Sequence, residues 1–205
     1  METDRVRRNF LCSSCIIATW AIFPFATRAM PVSISHSGIN GVLQGNANLC
    51  WLASVAMLMS WKNKSPISMS SMATTLGDPF EKLFKQSQSD STGGGLPITD
   101  VKLLADKLGL KTSGLASFNT SWWVDTLKKG PMMIAGYVKN PARMGHAVVL
   151  SGIDGDTNDV NRMGAEVYDP NYGAKIDKDF RQTIAFYEGL ADPAVDAQAP
   201  QILHF

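Results

Sequence analysis

The stretch LQGNANLCW at residues 43–51 decides how this chain folds and where its chemistry lies. Cys50 is the only cysteine after residue 15, so it lacks an intramolecular disulfide partner in a chain that has lost its N-terminus. Asn48 is a good N-cap, and the apolar run 50–61 predicts a buried central helix beginning at or beside the thiol. A helix N-terminus stabilises a thiolate, the nucleophilic form of cysteine. A buried structural cysteine is the alternative.

Residues 1–29 have the features of an export signal. Three arginines come first, an apolar stretch follows at residues 10–26, and Thr27-Arg28-Ala29 offers small residues to a signal peptidase. The sequence RRNFL at residues 7–11 resembles the bacterial twin-arginine motif, which implies export of the folded protein to the periplasm or beyond. An ordinary secretory signal is the alternative. Serines and a proline interrupt the apolar stretch, so we expect no stable membrane insertion after the signal is removed.

The composition argues against several classes of function. The 205 residues carry a net charge of +1, which gives no electrostatic footprint for nucleic acid. No Cys/His spacing indicates zinc, and no glycine-rich motif indicates a phosphate site. The acidic stretch 154–159 lacks the glycine and glutamate of a calcium loop, so we interpret it as a turn. We therefore predict no metal and no cofactor.

Hydrophobic periodicity predicts helices first and antiparallel strands afterwards, which indicates an α+β fold. We predict helices over 50–61, 65–76, 99–108 and 121–129, and another beginning at Asp78-Pro79. Strands are predicted near 110–117, 132–138, 146–153, 165–168 and 183–187. Residues 30–43 are interpreted as a polar lead-in and 87–97 as a flexible loop. We expect the tail, residues 190–205, to be loosely ordered.

A cysteine nucleophile needs a base that takes its proton and later protonates the leaving group. The chain has three histidines, of which His204 is near the end and His36 lies in the lead-in. His146 opens an apolar strand in GHAVVLSG at residues 145–152, and the glycine before it is expected to let a neighbouring backbone approach closely. A strand-edge histidine bonded only to its neighbours is the alternative. Together with the thiol, His146 is the better candidate for a base.

The imidazole in turn needs a group that fixes its tautomer and supports its charge. Asp169 ends the next predicted strand, in VYDPN at residues 167–171, and is well placed if the two strands form a hairpin. Asn171 is the rival, because an amide can do the same. Asp169 is also a common turn residue before proline. We favour Asp169.

Gln44 completes the candidate site. Acyl transfer builds negative charge on the carbonyl oxygen, and a side-chain amide beside the backbone N–H of the nucleophile stabilises it. Loss of such a donor costs about 3 kcal/mol. The alternative is that Gln44 is a surface loop residue.

These blocks resemble, in order and spacing, the papain-like cysteine peptidase superfamily. The resemblance is carried by Gln-x5-Cys-Trp before a helix, GHAVVLSG on a strand, and YDPN after the next strand. The sequence LKKGPMMI at residues 127–134 is also typical. The match spans about 44–180 and is nearest to small bacterial branches: peptidases that process double-glycine leaders, and effector peptidases that some plant pathogens inject.

The resemblance implies a helical half that carries the nucleophile on a central helix and an antiparallel β half that carries the other two groups. Substrate would lie in the cleft between them. On this chain it implies Cys50 as nucleophile, His146 as base, Asp169 as orienting group and Gln44 as oxyanion donor. No transporter domain accompanies the match, and twin-arginine export is not the route of injected effectors. The resemblance therefore predicts the mechanism more safely than the substrate.

We therefore predict a signal at 1–29, a papain-like peptidase domain at 30–189 and a tail at 190–205. The predicted function is that of an exported peptidase working through a thioester, with a peptide or protein as substrate. Three alternatives stay open: an amidase or acyl transferase acting on cell-wall peptides, an inactive binding module, and a structural protein whose Cys50 and His146 lie far apart. The oligomeric state is also open.

Overall fold

The computed structural model describes residues 30–90, 92–114, 116, 119–137, 145–189 and 200–205. The signal predicted for residues 1–29 lies outside the described residues. In the part of the chain that is described, no helix is both long enough and apolar enough to cross a lipid bilayer.

The described residues form six helices and seven strands. The helices are α1 (Cys50–Asn63), α2 (Met69–Leu76), α3 (Phe80–Ser89), α4 (Val101–Leu108), α5 (Thr120–Leu127) and α6 (Phe180–Glu188). The strands are β1 (Pro31–Ser35), β2 (Lys111–Ser113), β3 (Met132–Tyr137), β4 (Gly145–Asp156), β5 (Met163–Asp169), β6 (Ala174–Asp179) and β7 (Ile202–His204).

All seven strands belong to one antiparallel sheet in the order β2-β7-β3-β4-β5-β6, with β1 also paired to β4. The long strand β4 pairs with β3 over its first half and with β1 over its second half. The α+β prediction, with helices first and antiparallel strands later, is confirmed.

The two faces of the sheet carry separate hydrophobic cores, because side chains alternate along each strand. On one face, α1, α2 and α4 pack over strand residues such as Met133 and Val149. On the other face, α5 and α6 pack over residues such as Ile134 and Leu150. Helix α1 is apolar all round and lies at the centre of the first core, as its sequence predicts.

The strand predicted at 183–187 is wrong, since this segment lies in α6. The side chain of Asp179 caps the helix by accepting a hydrogen bond from the backbone N–H of Arg181 at 2.7 Å. The buried residues of α6 are Phe180, Thr183, Ile184 and Tyr187, which follow the helical spacing i, i+3, i+4, i+7.

Helix α2 begins later than Ser65-Pro66. Its N-cap is Ser68, whose hydroxyl oxygen accepts from the backbone N–H of Ser71 at 3.1 Å. The preceding residues form a turn after α1, with Lys64 in the left-handed conformation at φ 54°. The loop predicted from Ser87 begins after Ser89, where α3 ends.

Both ends of the described chain are more ordered than the sequence indicates. The lead-in contains β1, which pairs with β4 from Pro31 to Ser35. The prediction of a loosely ordered tail is wrong for residues 200–205, because β7 lies inside the sheet between β2 and β3. Its apolar side chains, Ile202 and Leu203, are fully buried, and burial of apolar surface orders the segment.

Candidate active site

Cys50 is the first residue of α1 and is buried, with 7% of its surface exposed. A short 3-10 helix, Ala47–Leu49, leads directly into α1. Asn46, and not Asn48, is the N-cap of this short helix: the side-chain oxygen of Asn46 accepts from the backbone N–H of Asn48 at 3.0 Å. The thiol therefore lies at the start of a helix, as predicted, where the aligned peptide dipoles give a partial positive charge.

His146 and Asp169 come from neighbouring strands and form a buried pair. His146 is the second residue of β4 and Asp169 is the last residue of β5. Nε2 of His146 donates to Oδ1 of Asp169 at 2.7 Å, since an ionised carboxylate only accepts. This bond fixes the tautomer and leaves Nδ1 as the ring nitrogen able to exchange a proton with another group.

The imidazole also interacts with the Cys50 thiol. Burial by itself lowers the pKa of His146, but hydrogen bonds to Asp169 and to Cys50, with the negative charge of both partners, raise it to about 9. Burial raises the pKa of Asp169, whereas the bonds from His146 and from the backbone of Asn171 lower it below its usual value. The structure thus brings together three of the four predicted side chains, and it favours the charged forms of His146 and Asp169.

Asn171, the rival of Asp169, is close to both members of the pair. Its backbone N–H donates to Oδ1 of Asp169 at 2.9 Å, and its side-chain nitrogen lies 3.3 Å from Nε2 of His146. Two N–H groups cannot bond to each other, and the carboxylate is nearer to the ring. The geometry therefore favours Asp169 as the partner of the imidazole and gives Asn171 the task of holding the carboxylate.

Gln44 is buried, and its segment is hydrogen-bonded to the turn that follows Asp169. Its backbone N–H donates to the carbonyl oxygen of Pro170 at 2.9 Å. Nearby, the two backbones at Gly41 and Gly173 approach so closely that a Cβ on Gly41 would overlap the carbonyl of Gly173. Gln44 itself borders a separate cavity on the helical side, together with Leu49. Its position six residues before the thiol is held by the turn that follows Asp169.

A cavity of about 320 Å³ opens beside Cys50 and His146. One wall is a loop held by two donors on either side of Cys50. Nε1 of Trp51 donates to the carbonyl of Gly94 at 3.0 Å, and the side-chain amide of Asn48 donates to the carbonyl of Gly93 at 3.1 Å. The other lining residues are Gly95, Leu96, Ile98, Val101, Met133, Ala135, Gly145, Ala147, Pro200, Gln201 and Leu203. The cleft therefore lies between the helical half and the sheet.

The sequence missed two features around His146. The close backbone approach predicted at Gly145 is wrong, since a Cβ there would meet nothing within 4 Å. The tight position is Gly136, opposite His146 on β3, where a Cβ would strike Phe186 of α6. The Phe186 ring stands edge-on to the imidazole, with 6.3 Å between ring centroids. Gly136 and Phe186 are 50 positions apart, so no local sequence pattern predicts their contact.

The other two histidines lie elsewhere. Nε2 of His36 lies 2.6 Å from the carbonyl oxygen of Leu127, and Nε2 of His204 lies 2.9 Å from the hydroxyl of Ser113. Within the described ranges, no group of three or more His, Cys, Asp or Glu side chains is placed to hold a metal ion.

A thiol at the start of a central helix, beside an imidazole held by a carboxylate on an antiparallel sheet, is the arrangement of a papain-like cysteine peptidase. Residues 36–188 match the family model of the papain-like cysteine protease AvrRpt2, and the chain belongs to that family. It is therefore an enzyme, a hydrolase of the cysteine protease class, and the predicted superfamily is confirmed. None of the curated proteins matches the chain.

Proposed function

We propose that this chain is an exported cysteine peptidase in which Cys50 is the nucleophile, His146 the acid and base, Asp169 the orienting group and Gln44 an oxyanion donor. The observation that carries the proposal is that one buried imidazole interacts with both the thiol and the carboxylate. The AvrRpt2 family match supports the reaction class, and a peptide or protein as substrate.

The reaction begins when the Cys50 thiolate attacks the carbonyl carbon of the scissile peptide bond. Negative charge develops on the carbonyl oxygen, where the backbone N–H of Cys50 and the side-chain amide of Gln44 stabilise it. His146 then gives its proton to the departing amine, the C–N bond breaks and a thioester remains. Water attacks the thioester carbon while His146 takes a proton from the water. The C–S bond breaks, the acid product leaves, and the thiolate of Cys50 and the protonated His146 are restored.

Substitution of the thiol tests this mechanism. We expect Cys50→Ala to abolish both iodoacetamide labelling of the mature chain and cleavage of casein. The matched control is Ser54→Ala, one turn further along α1 and also buried, which should retain both signals. Undiminished cleavage by Cys50→Ala would remove Cys50 from the mechanism.

The same experiment separates the alternatives that the sequence leaves open. Cell-wall peptides present amide bonds that this thiol chemistry also cuts or transfers, so peptidoglycan is incubated in parallel with casein. Release of peptidoglycan fragments without casein cleavage would favour the amidase or transferase. A chain that neither reacts with iodoacetamide nor cuts either substrate would be the inactive binding module.

The proposal of export is supported by the sequence of residues 1–29 and is tested separately. Arg7→Lys with Arg8→Lys keeps the basic charge that an ordinary secretory signal needs but removes the twin-arginine pair. We expect the double variant to stay in the cytoplasm of a bacterial host while the unchanged chain reaches the periplasm. Export of both would contradict the twin-arginine route.

A further inference from the structure

Met30, which directly follows the signal proposed for residues 1–29, is held by the far end of β4. Its backbone N–H donates to Oδ1 of Asp156 at 3.1 Å. Its carbonyl oxygen accepts from both the backbone N–H and the hydroxyl of Thr157, each at 3.1 Å. Met30 is therefore anchored at its own nitrogen and oxygen, although 61% of its surface is exposed.

The Asp156 carboxylate is placed to accept a cation. Its side chain is only 11% exposed, and Oδ2 lies 3.5 Å from the guanidinium of the exposed Arg162. Oδ1 accepts from the backbone N–H groups of Met30 and Asn158, at 3.1 Å each. These two hydrogen bonds, with the charge of Arg162, hold the pKa of Asp156 below its usual value. The group that faces the Met30 nitrogen is thus a mostly buried, ionised carboxylate.

We propose that Asp156 is the binding site for the positively charged amino terminus of the mature chain, which begins at Met30 once the signal is removed. This inference rests on the export part of the proposed function and names what holds the new terminus. The structure supports it because the nitrogen that would become the terminus already contacts the carboxylate.

Hydrolysis of the peptide bond between Ala29 and Met30 changes the chemistry of that contact. Water adds to the Ala29 carbonyl, the C–N bond breaks, Ala29 keeps the new carboxylate, and the Met30 nitrogen leaves as an amine. An α-amine has a pKa of about 7.7–8.0, so it is protonated at pH 7. A neutral N–H donor thereby becomes an ammonium beside a carboxylate, and charge-assisted hydrogen bonds are roughly twice as strong as neutral ones.

The position of β1 makes the site selective for this one terminus. The strand begins at Pro31, which is paired with Asp156. A cut after Ala29 leaves the strand and its anchor in the mature chain. A cut before Ala29 leaves the Met30 nitrogen an uncharged amide, and a cut after Met30 removes its bonds to Asp156 and Thr157.

The first experiment identifies the terminus itself. The unchanged chain is exported by a bacterial host, and mass spectrometry of the periplasmic protein reports its first residue, which should be Met30. An exported chain that begins at any other residue would overturn the inference while leaving the proposal of export intact.

The second experiment measures how strongly the amine is held. Cyanate carbamylates only the unprotonated amine, and mass spectrometry of the peptide that begins at Met30 follows the rate at pH 7. We expect Asp156→Asn to raise this rate about two- to fivefold, as the loss of a partly exposed ion pair implies. The matched control is Asp154→Asn, which removes an equal charge two residues earlier on β4, opposite Ser33, and should leave the rate unchanged. No rise in Asp156→Asn, or an equal rise in Asp154→Asn, would overturn the inference.

A comparison without any variant guards against misfolding of Asp156→Asn. The Met30 amine of the unchanged chain should react about two- to fivefold more slowly than that of the free peptide Met-Pro-Val-Ser-Ile in the same buffer. The difference should shrink in about 1 M salt, because salt screens an exposed ion pair but not a steric obstruction. A difference that salt does not change would show that no charge pair holds the terminus.

A cut made in vitro keeps this outcome distinct from failure of export. In the full chain, a factor Xa recognition sequence replaces residues 26–29, so that factor Xa leaves Met30 as the first residue. If the unchanged chain is never exported but the amine of this chain still reacts slowly and depends on Asp156, the export proposal fails and the site stands. Reactivity equal to that of the free peptide would overturn the site, whether or not the chain is exported.

Discussion

At the scale of single residues, the environment of His146 decides the chemistry of the cleft. The ring is buried between a thiol and a carboxylate, and the attraction of both outweighs the cost of burying its charge. Asp169 makes the short bond, and Asn171 supports that carboxylate through its backbone. The two candidates for the orienting group thus have different tasks, which separate variants can distinguish.

Loss of Asp169 should be the more damaging of the two. We expect Asp169→Ala to lower kcat/KM by at least about 100-fold, because the imidazole loses the group that fixes its tautomer and supports its charge. Asn171→Ala should cost less, since the backbone N–H that holds the carboxylate remains. Steady-state kinetics on one peptide substrate checks the order, and a larger loss in Asn171→Ala would reverse the assignment.

The raised pKa of His146 also makes stability depend on pH. Its pKa is about 9 in the folded protein and near 6.5 when unfolded, so its stabilising contribution is complete below about pH 6.5 and is lost as the pH rises through about 9. The shift corresponds to at most about 3 kcal/mol. We expect the free energy of unfolding of the protein, relative to Asp169→Asn, to fall over this range.

Urea denaturation under reducing conditions at pH 6, 8 and 10 measures that difference. Asp169→Asn is suited as the reference because it removes the charge but keeps the shape of the side chain. The contributions of the other titrating groups to the free energy of unfolding then cancel in the difference between the two proteins. A difference that stays constant from pH 6 to pH 10 would show that the imidazole gains no proton affinity from the carboxylate.

The residues of the candidate site could be predicted from the sequence, because each belongs to a short pattern with its own physical signature. Cys50 begins an apolar helix, His146 begins an apolar strand, and Asp169 precedes a proline at the end of the next strand. The contacts between these patterns could not be predicted from the sequence. The capping role of Asn46 and the tight position at Gly136 depend on loop geometry and on α6, which the sequence misassigned.

At the scale of elements, one turn joins the two sides of the site. The carbonyl of Asp169 accepts from the backbone N–H groups of Tyr172 and Gly173, and the carbonyl of Pro170 accepts from Gln44. The backbone contact between Gly41 and Gly173 brings the segment that carries Gln44 against this turn. Any displacement at that contact therefore moves the proposed oxyanion donor relative to the carboxylate.

Gly41→Ala should disturb this arrangement from outside the cleft. Its Cβ would overlap the Gly173 carbonyl, and forcing the two backbones apart is expected to cost about 1–3 kcal/mol in stability and to lower kcat. Gly114→Ala is the control, since a Cβ there meets open space and its φ is not in the left-handed region. Full activity and stability of Gly41→Ala, measured by peptide cleavage and thermal unfolding, would show that the contact does not position Gln44.

Elements were predictable where a long periodic pattern decides them. Helix α1 and strand β4 follow from their apolar runs, whereas α6 was misassigned because its short apolar run, 183–187, fits a strand as well as a helix when the cap at Asp179 is overlooked. Strands β1 and β7 are short, and pairing partners far along the chain stabilise them. Strand β6 is polar and pairs with β5, the strand directly before it.

At the scale of the whole molecule, the sheet separates two cores and β7 contributes to both. Leu203 packs under α1 and Ile202 packs under α6, while the Phe205 ring lies 5.4 Å from the Trp61 ring at the end of α1. Gly130 permits that last contact, because a Cβ there would strike both rings. Residues 200–205 thus join the helical half and the sheet, although their sequence predicts a loosely ordered tail.

Removal of residues 200–205 should therefore unfold much of the protein, not only open the cleft. The deletion removes two fully buried aliphatic side chains and the strand that pairs with β2 and with one edge of β3, a loss of about 3–6 kcal/mol from apolar burial alone. That is a large part of the 5–15 kcal/mol typical of a whole domain. Phe205→Ala keeps the strand, so its free energy of unfolding should fall much less. Urea denaturation followed by circular dichroism compares the three chains, and a deletion variant that unfolds at the same urea concentration as the full chain would show that the fold is complete without β7.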